Sequence, residues 1–190
     1  MLNVTYILFE PGGVDPQLFA PLDLVQETDE GRIYRNPNVL PRAWLVHAAE
    51  VIPDDDAQLT RLARADFDPA AVAILPSPVP PVAAPAAPEP VPIVTYAPNR
   101  AEVRASVAAP AVLMLSDAYS DDWNVTVDGQ PATLYRANYA FRGVWLSPGE
   151  HMVIYSYRPR AFLIGGAISL LTLAGLSAAG LWYWLKLRRK

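Results

Sequence analysis

The C-terminal segment contains a long uninterrupted run of apolar residues. Residues 162–185 read FLIGGAISLLTLAGLSAAGLWYWL and include no charged side chain. A helix of this length spans about 36 Å, which is enough to cross a hydrocarbon core of about 30 Å with some tilt. A buried core helix does not fit, because the run is too long and has no polar face. The pattern therefore predicts a transmembrane helix over residues 162–185.

Basic and aromatic residues flank this span and predict its orientation. The residues that we expect to lie at the two membrane interfaces are Arg158, Arg160, Trp182, Trp184, Lys186, Arg188, Arg189 and Lys190. Since cytoplasmic flanks of membrane spans are enriched in Lys and Arg, the basic tail at residues 186–190 predicts a cytoplasmic C-terminus. The bulk of the chain would then be extracytoplasmic.

The N-terminal residues, MLNVTYILFEPGG, do not resemble an export signal. They have no basic region and no small-residue cleavage site. A chain whose bulk lies outside the membrane needs something to export it. We therefore expect this sequence to be the C-terminal piece of a longer membrane protein whose earlier helices perform the export.

Short runs of β-branched and aromatic residues, separated by turn residues, fill the first part of the chain. They predict strands at residues 2–9, 22–28, 32–35, 43–47 and 72–75. Acidic residues 54–56 precede AQLTRLARA, which predicts a short helix with its acidic end at the N-terminus. We interpret this triplet as a helix start rather than a cation site, because no ordered spacing of oxygen ligands follows it. Residues 1–75 are thus predicted to form a small α+β lobe.

Residues 76–92, PSPVPPVAAPAAPEPVP, form a Pro/Ala-rich linker. Proline fixes φ and removes a hydrogen-bond donor, so this tract favours an extended, polyproline-like spacer or an exposed loop. It separates the predicted lobe from the rest of the chain.

Residues 93–160 have an all-β pattern. Seven short strands are predicted at residues 93–96, 101–107, 111–116, 123–127, 132–135, 141–146 and 151–157. Asp128-Gly129 predicts a two-residue hairpin turn, and strict alternation places Trp123, Val125 and Val127 on one face. The predicted fold class is therefore α+β and mostly β: a small lobe, a linker, an antiparallel β-sandwich of about seven strands and one C-terminal span.

The amino-acid composition limits the kinds of functional site that this chain can contain. The chain has no Cys, two His and a formal net charge of −4. The isolated histidines His47 and His151 lack the spacing of zinc ligands, and no phosphate-binding or nucleophile-elbow motif occurs, so we expect no metal, cofactor or catalytic residue. No basic stripe indicates nucleic-acid binding.

An aromatic and polar set near the sandwich turns suggests glycan binding. Sugar faces stack on Trp and Tyr rings, while polar side chains bond the hydroxyl groups. The candidate residues are Tyr119, Trp123, Tyr139 and Arg142. The alternative is that the tryptophans Trp123 and Trp145 belong to the sandwich core, and the sequence leaves both interpretations open.

Several short motifs follow one another in a specific order. They are YRNPNVLPRAW at 34–44, DFDP at 66–69, LSDAY at 115–119, VDG at 127–129, YRANYAFR at 135–142, PGEH at 148–151 and YRP at 157–159. This order resembles the C-terminal region of bacterial YfhO-type membrane proteins, over nearly the whole chain.

The resemblance implies a large multi-pass protein with a glycosyltransferase C-type membrane core that uses polyprenyl-phosphate sugars. In such enzymes the catalytic acid lies in an early outer loop, between helices that this sequence does not contain. The chain is therefore expected to be a non-catalytic part that supports sugar transfer to cell-envelope glycopolymers. The expected partners are the lipid bilayer, the upstream transmembrane core and a cell-envelope glycan. The alternative is a stand-alone, single-pass β-sandwich that binds a protein partner.

Overall fold

The structure is a computed structural model that describes residues 3–10, 22–85 and 89–188. The first half contains β1 (Tyr6–Phe9), β2 (Asp23–Thr28), β3 (Gly31–Arg35), β4 (Ala43–Val46), β5 (Ala48–Val51), α1 (Asp55–Leu62) and β6 (Val72–Leu75). The second half contains β7 (Ile93–Ala97), β8 (Arg100–Val107), β9 (Ala111–Leu115), β10 (Trp123–Val127), β11 (Gln130–Ala132), β12 (Tyr135–Ala137), β13 (Phe141–Leu146), β14 (Gly149–Tyr157) and α2 (Arg160–Arg188).

The first three strands form a separate antiparallel sheet in the order β1-β3-β2. The strands β2 and β3 form a hairpin, with Thr28 opposite Gly31. The rings of Phe9 and Tyr34 meet edge to face, 5.5 Å apart. A hydrogen bond from Asn3 Nδ2 to the Leu40 carbonyl, 2.7 Å long, connects the start of the chain to the segment that follows the sheet.

The predicted β-sandwich is present. One sheet has the order β11-β10-β14-β8-β7 and the other β12-β13-β9-β4, with antiparallel pairing throughout. Fully buried side chains from both sheets, such as Val103, Leu113, Val144, Val153 and Tyr155, fill the space between them. Burial of this apolar surface provides the main stabilisation of the fold. The sequence contains no Cys, so no disulfide bond contributes.

The sandwich has nine strands within the described residues, rather than about seven. The single strand predicted at residues 132–135 is in fact two short strands, β11 and β12, that belong to different sheets. Thr133 and Leu134 carry the chain from one sheet to the other, and Leu134 packs against the core. Pro131 is tolerated because β11 is an edge strand, where a missing N–H breaks no ladder.

The other additional strand, β4, comes from before the linker. It pairs with β9 at the edge of the four-stranded sheet, with Leu45 opposite Leu113 and Val46 opposite Val112. The domain bounds at residues 75 and 93 stay a prediction, but the two predicted parts share this sheet. Local sequence could not show the pairing, because a short apolar strand can pair with the edge of many sheets.

A second apolar layer packs behind the four-stranded sheet. The strand β5, which the sequence pattern did not predict, pairs in parallel with β6. Trp44, Ala73, Leu75, Val112 and Met114 form one buried cluster between this pair and the sandwich. The lobe is thus attached to the sandwich through a common core.

The helix α1 begins as predicted. Asp54 is its N-cap, and the Asp54 carboxylate accepts a 2.8 Å hydrogen bond from the backbone N–H of Ala57. Arg61 near its end binds Glu50 of β5 through two 2.8 Å hydrogen bonds. The acidic triplet therefore starts a helix, and the helix is tied to the neighbouring strand.

The linker is bound to the sandwich rather than free of it. The N–H of Ala83 donates to the Pro110 carbonyl at 3.0 Å, and Trp145 Nε1 donates to the Pro81 carbonyl at 3.4 Å. The ring nitrogens of His47 lie 2.6 Å from the Ala83 carbonyl oxygen and 2.6 Å from the Glu89 carboxylate. The described parts of the linker therefore form a strap along the sandwich, and the predicted bounds of the linker at residues 76–92 stay a prediction.

The helix α2 is continuous from Arg160 to Arg188, slightly longer than the predicted span. It is long and apolar enough to cross a membrane, with a mean hydropathy of 1.9, and none of its apolar window is buried in the protein. Lys186 lies over the Trp182 ring at 5.1 Å and the Arg188 guanidinium lies over Trp184 at 3.8 Å. The predicted interface residues Arg189 and Lys190 lie outside the described residues.

Candidate functional site

The predicted binding residues lie at the end of the sandwich that is next to α2. Here β9 and β14 end, and β10 and β13 begin. We define the α2 end as loop 116–122, hairpin loop 138–140 and the joint 158–160. The loop 116–122 crosses from one sheet to the other, and the N–H of Tyr119 donates to the Ala140 carbonyl at 2.8 Å. This bond fixes the two loops side by side.

A cleft of about 760 Å³ opens between these loops, β12 and the start of the linker. Its wall includes Tyr119, Asp121, Tyr135, Arg136 and Tyr139. Aromatic rings, a carboxylate and a guanidinium thus share one concave surface. This combination can stack on an apolar ring face and bond its hydroxyl groups, which is the chemistry that carbohydrate recognition needs.

The polar groups of the cleft are held by neighbours. The Tyr119 hydroxyl donates to the Asp121 carboxylate at 2.9 Å. Arg136 NH1 donates to the Asp55 carboxylate at 3.2 Å, and the guanidinium lies 5.4 Å from the centroid of the Tyr139 ring. These contacts orient the side chains before any ligand binds.

Burial and these hydrogen-bonded pairs shift the pKa values of two groups in the cleft. Burial raises the pKa of the Tyr119 hydroxyl above its usual value, and the hydrogen bond to the negative Asp121 carboxylate raises it further. The hydrogen bond to Asp55 raises the pKa of the Arg136 guanidinium. At neutral pH the cleft therefore presents a neutral phenol and a charged guanidinium.

Tyr139 has an unusual backbone conformation. Asn138 and Tyr139 have φ values of 46° and 68°, in the left-handed region that bulky residues rarely adopt. The buried Asn138 anchors the turn, because its N–H donates to the Ile74 carbonyl at 2.8 Å and its Oδ1 accepts from the Ile74 N–H at 2.7 Å. The left-handed conformation of Tyr139 costs about 1–2 kcal/mol, and the Asn138 anchor holds it in place.

Trp123 and Arg142 lie behind the cleft rather than in its wall. The Arg142 guanidinium stacks on the Trp123 ring at 3.5 Å, and Nε donates to the Ala118 carbonyl at 2.9 Å. Arg142 is only 4% exposed. Burial lowers its pKa, while the negative charge of Asp117 opposes this change. Arg142 is therefore placed to hold loop 116–122, and Trp123 packs partly against the sandwich core.

The structure thus separates the four predicted residues into two pairs: Tyr119 and Tyr139 in the cleft wall, and Trp123 and Arg142 behind it. The four predicted residues did not include Asp121, Tyr135 and Arg136, although Tyr135 and Arg136 begin the motif at 135–142 and Asp121 lies two positions after the motif at 115–119. Asp55 could not be found in this way, because it reaches Arg136 from 81 positions away. Trp145 contacts the linker instead.

The comparison with known protein families gives a match in the part of the chain that contains this site. A family model described as bacterial membrane protein YfhO matches residues 83–169. The match runs from within the linker through β7–β14 into α2, and it includes the loops of the α2 end. No curated protein matches the chain, and no solved structure matches it. The family match confirms the predicted resemblance over residues 83–169, and this region of the chain is similar to bacterial YfhO-type membrane proteins.

Proposed function

We propose that this chain is the extracytoplasmic C-terminal part of a YfhO-like protein, without catalytic groups of its own, and that its cleft binds a cell-envelope glycan. Lipid-linked sugar transfer would take place in an upstream transmembrane core. The YfhO match supports a role associated with membrane glycosyltransferases. Basic residues at the end of α2 support an orientation with the sandwich outside.

The left-handed Tyr139 is the observation that carries the glycan proposal. A bulky residue with positive φ is kept in a turn where Gly or Asn would be more stable. The Tyr139 ring lines the cleft together with Tyr119 and Tyr135. Backbone strain of this kind occurs at ligand-binding sites, where a side chain must have one particular position.

In the proposed complex, Tyr139 and Tyr119 stack on the apolar faces of sugar rings. The Asp121 carboxylate accepts hydrogen bonds from hydroxyl groups, and Arg136 donates to ring or hydroxyl oxygens. Holding an acceptor glycan in this cleft raises its local concentration near the membrane, which favours reaction with a membrane-bound donor.

A glycan array made with the full chain in detergent, followed by titration of the bound glycans, tests this function. Each stacked ring contributes about 0.5–1.5 kcal/mol, so Tyr139→Ala and Tyr119→Ala should each weaken binding by about 2-fold to 10-fold. Tyr6→Ala is the matched control, because Tyr6 is an exposed tyrosine of the separate β1-β3-β2 sheet. Unchanged affinity in both cleft variants, or the absence of any bound glycan, would refute the proposal.

A second function, binding of a protein partner, has support from the β1-β3-β2 sheet. Its apolar residues Tyr6, Leu8, Leu24 and Val25 are between 51% and 69% exposed. Photocrosslinking from position 8 in whole cells tests this alternative. A specific adduct that forms from Leu8 but not from Ala118 would favour protein binding through this sheet.

A further inference from the structure

The joint between the sandwich and α2 is short and well bonded. Arg158 and Pro159 are the two residues between β14 and α2. The N–H of Tyr157 donates to the Asn99 carbonyl at 2.9 Å, and the N–H of Arg158 donates to the Asp122 carbonyl at 2.9 Å. The N–H of Arg160 donates to the Asp122 carboxylate at 3.2 Å. The helix therefore continues the sandwich without a flexible linker.

This joint places the α2 end at the level of the lipid headgroups. The apolar run begins at Phe162, two residues after the contact between Arg160 and Asp122. The polar headgroup region is about 5–8 Å thick on each side of the hydrocarbon core. Since Asp122 belongs to loop 116–122, a membrane that surrounds α2 must meet this loop.

Loop 116–122 carries the carboxylates Asp121 and Asp122, which accept hydrogen bonds from the Tyr119 hydroxyl and the Arg160 N–H, while the arginines of the joint can reach lipid phosphates. Arg158 and Arg160 are exposed, and within the described residues neither side chain forms an ion pair. The nearby Asp117 is compensated by Arg42 at 3.0 Å and Arg142 at 3.7 Å. Guanidinium groups bind phosphate oxygens in pairs of hydrogen bonds, so the two free arginines match phospholipid headgroups.

Aromatic residues at the α2 end also suit a position at the membrane interface. The rings of Trp123 and Tyr157 lie 5.2 Å apart at the start of β10 and the end of β14. Tyr157 is 37% exposed and Trp123 is half-buried. Trp and Tyr prefer the boundary between hydrocarbon and water, because one part of each ring system is apolar and another part is polar.

We propose that the α2 end of the sandwich rests on the phospholipid surface, with Arg158 and Arg160 on headgroup phosphates. Asp122 is the positioning residue that holds the sandwich at this height. The inference depends on α2 spanning the bilayer and is independent of what the cleft binds.

Spin labelling tests this geometry directly, because the chain contains no Cys and single labels are specific. The full chain is reconstituted in vesicles of phosphatidylcholine and phosphatidylglycerol. Ala118→Cys places a label in loop 116–122. Gln130→Cys places the matched label in β11 opposite Val127, at the far end of β10, a strand about 13 Å long from Trp123 to Val127. Nickel bound to chelating lipid headgroups should broaden the Ala118→Cys signal several-fold more than the Gln130→Cys signal. Equal broadening at both positions would overturn the proposal.

Three variants test the named residues. Asp122→Ala should bring the broadening at position 118 down to the value at position 130, whereas Asp122→Asn should preserve it, because an amide oxygen can still accept from Arg160. In vesicles that contain phosphatidylglycerol, Arg158→Ala combined with Arg160→Ala should reduce the broadening at position 118. The same result for Asp122→Ala and Asp122→Asn would remove the positioning role. Unchanged broadening in the double variant would remove the phosphate contacts.

Discussion

The guanidinium group of Arg142 lies on the indole ring of Trp123, with Cζ 3.5 Å from the ring centroid. Arg142 belongs to β13 of the four-stranded sheet, and Trp123 begins β10 of the five-stranded sheet. The pair therefore joins the two sheets at the α2 end. It also holds loop 116–122 through the hydrogen bond to Ala118.

Replacing this arginine should destabilise the whole sandwich. Arg142→Met loses the ring stacking, the bond to Ala118 and the interaction with Asp117, so we expect the free energy of unfolding to fall by about 2–4 kcal/mol. Chemical denaturation of the full chain in detergent, followed by Trp fluorescence, measures this change. Arg64→Met is the control, because Arg64 forms an exposed, solvent-screened pair with Asp66 and its loss should change stability little. Equal losses in the two variants would contradict the role assigned to Arg142.

Tyr139→Gly should separate stability from binding. Glycine adopts positive φ without steric cost, so the free energy of unfolding should stay the same or rise by up to about 1 kcal/mol. Glycan affinity should fall, because the ring in the cleft is lost. Tyr135→Gly provides the contrast, since Tyr135 lies in a strand and glycine weakens strands. A marked loss of stability in Tyr139→Gly would show that its ring serves the fold.

Acid stability should depend on Asp128. The hydrogen bond from the Met152 N–H, followed by the interaction with His151, lowers the pKa of the Asp128 carboxyl. A lowered folded-state pKa means that the ionised carboxylate stabilises the fold above the usual Asp pKa of about 3.9. This contribution is lost as the pH falls through the lowered value.

The measurement is acid unfolding followed by circular dichroism. Between about pH 5 and pH 2, the free energy of unfolding should fall less steeply in Asp128→Asn than in the wild type. Asp29→Asn, in the exposed turn between β2 and β3, should leave the slope unchanged. Identical slopes for the wild type and Asp128→Asn would refute this prediction.

Truncation should show where the folding unit begins. A chain that starts at Asn36 keeps β4, β5, α1 and β6 and should retain a folded sandwich. A chain that starts at Pro76 loses them and exposes Val112 and Met114, which are 0% exposed in the fold. The second truncation should lower stability by more than about 3 kcal/mol. Circular dichroism and limited proteolysis of both chains measure the difference, and equal stability would contradict it.

Elements with local signals could be predicted from the sequence. Asp128 and Gly129 have φ values of 52° and 80°, as the two-residue hairpin turn requires. Trp123, Val125 and Val127 pack on one face of β10, as their alternation predicted. The long apolar run forms α2, and the acidic triplet forms the start of α1. In each case the determining residues are neighbours in the sequence.

Contacts between distant segments could not be predicted in this way. The pairing of β4 with β9, the exchange between Asn138 and Ile74 and the strap contacts of His47 all join residues that are far apart in the sequence. The role of Arg142 in the site could not be predicted from the sequence for the same reason. Its motif placed it near aromatic residues, but only the packing of two sheets decides whether a guanidinium faces a ligand or a tryptophan.

The position of β14 has a mechanical consequence. This strand lies between β10 and β8 and continues into α2 after two residues. Tension from a moving or bending membrane would therefore enter the middle of the sheet and not its edge. Inter-strand hydrogen bonds run perpendicular to the strands, so a pull along β14 loads many of them in shear at once. An edge strand can be peeled away one bond at a time, whereas β14 has partners on both sides and should transmit force to the whole sandwich.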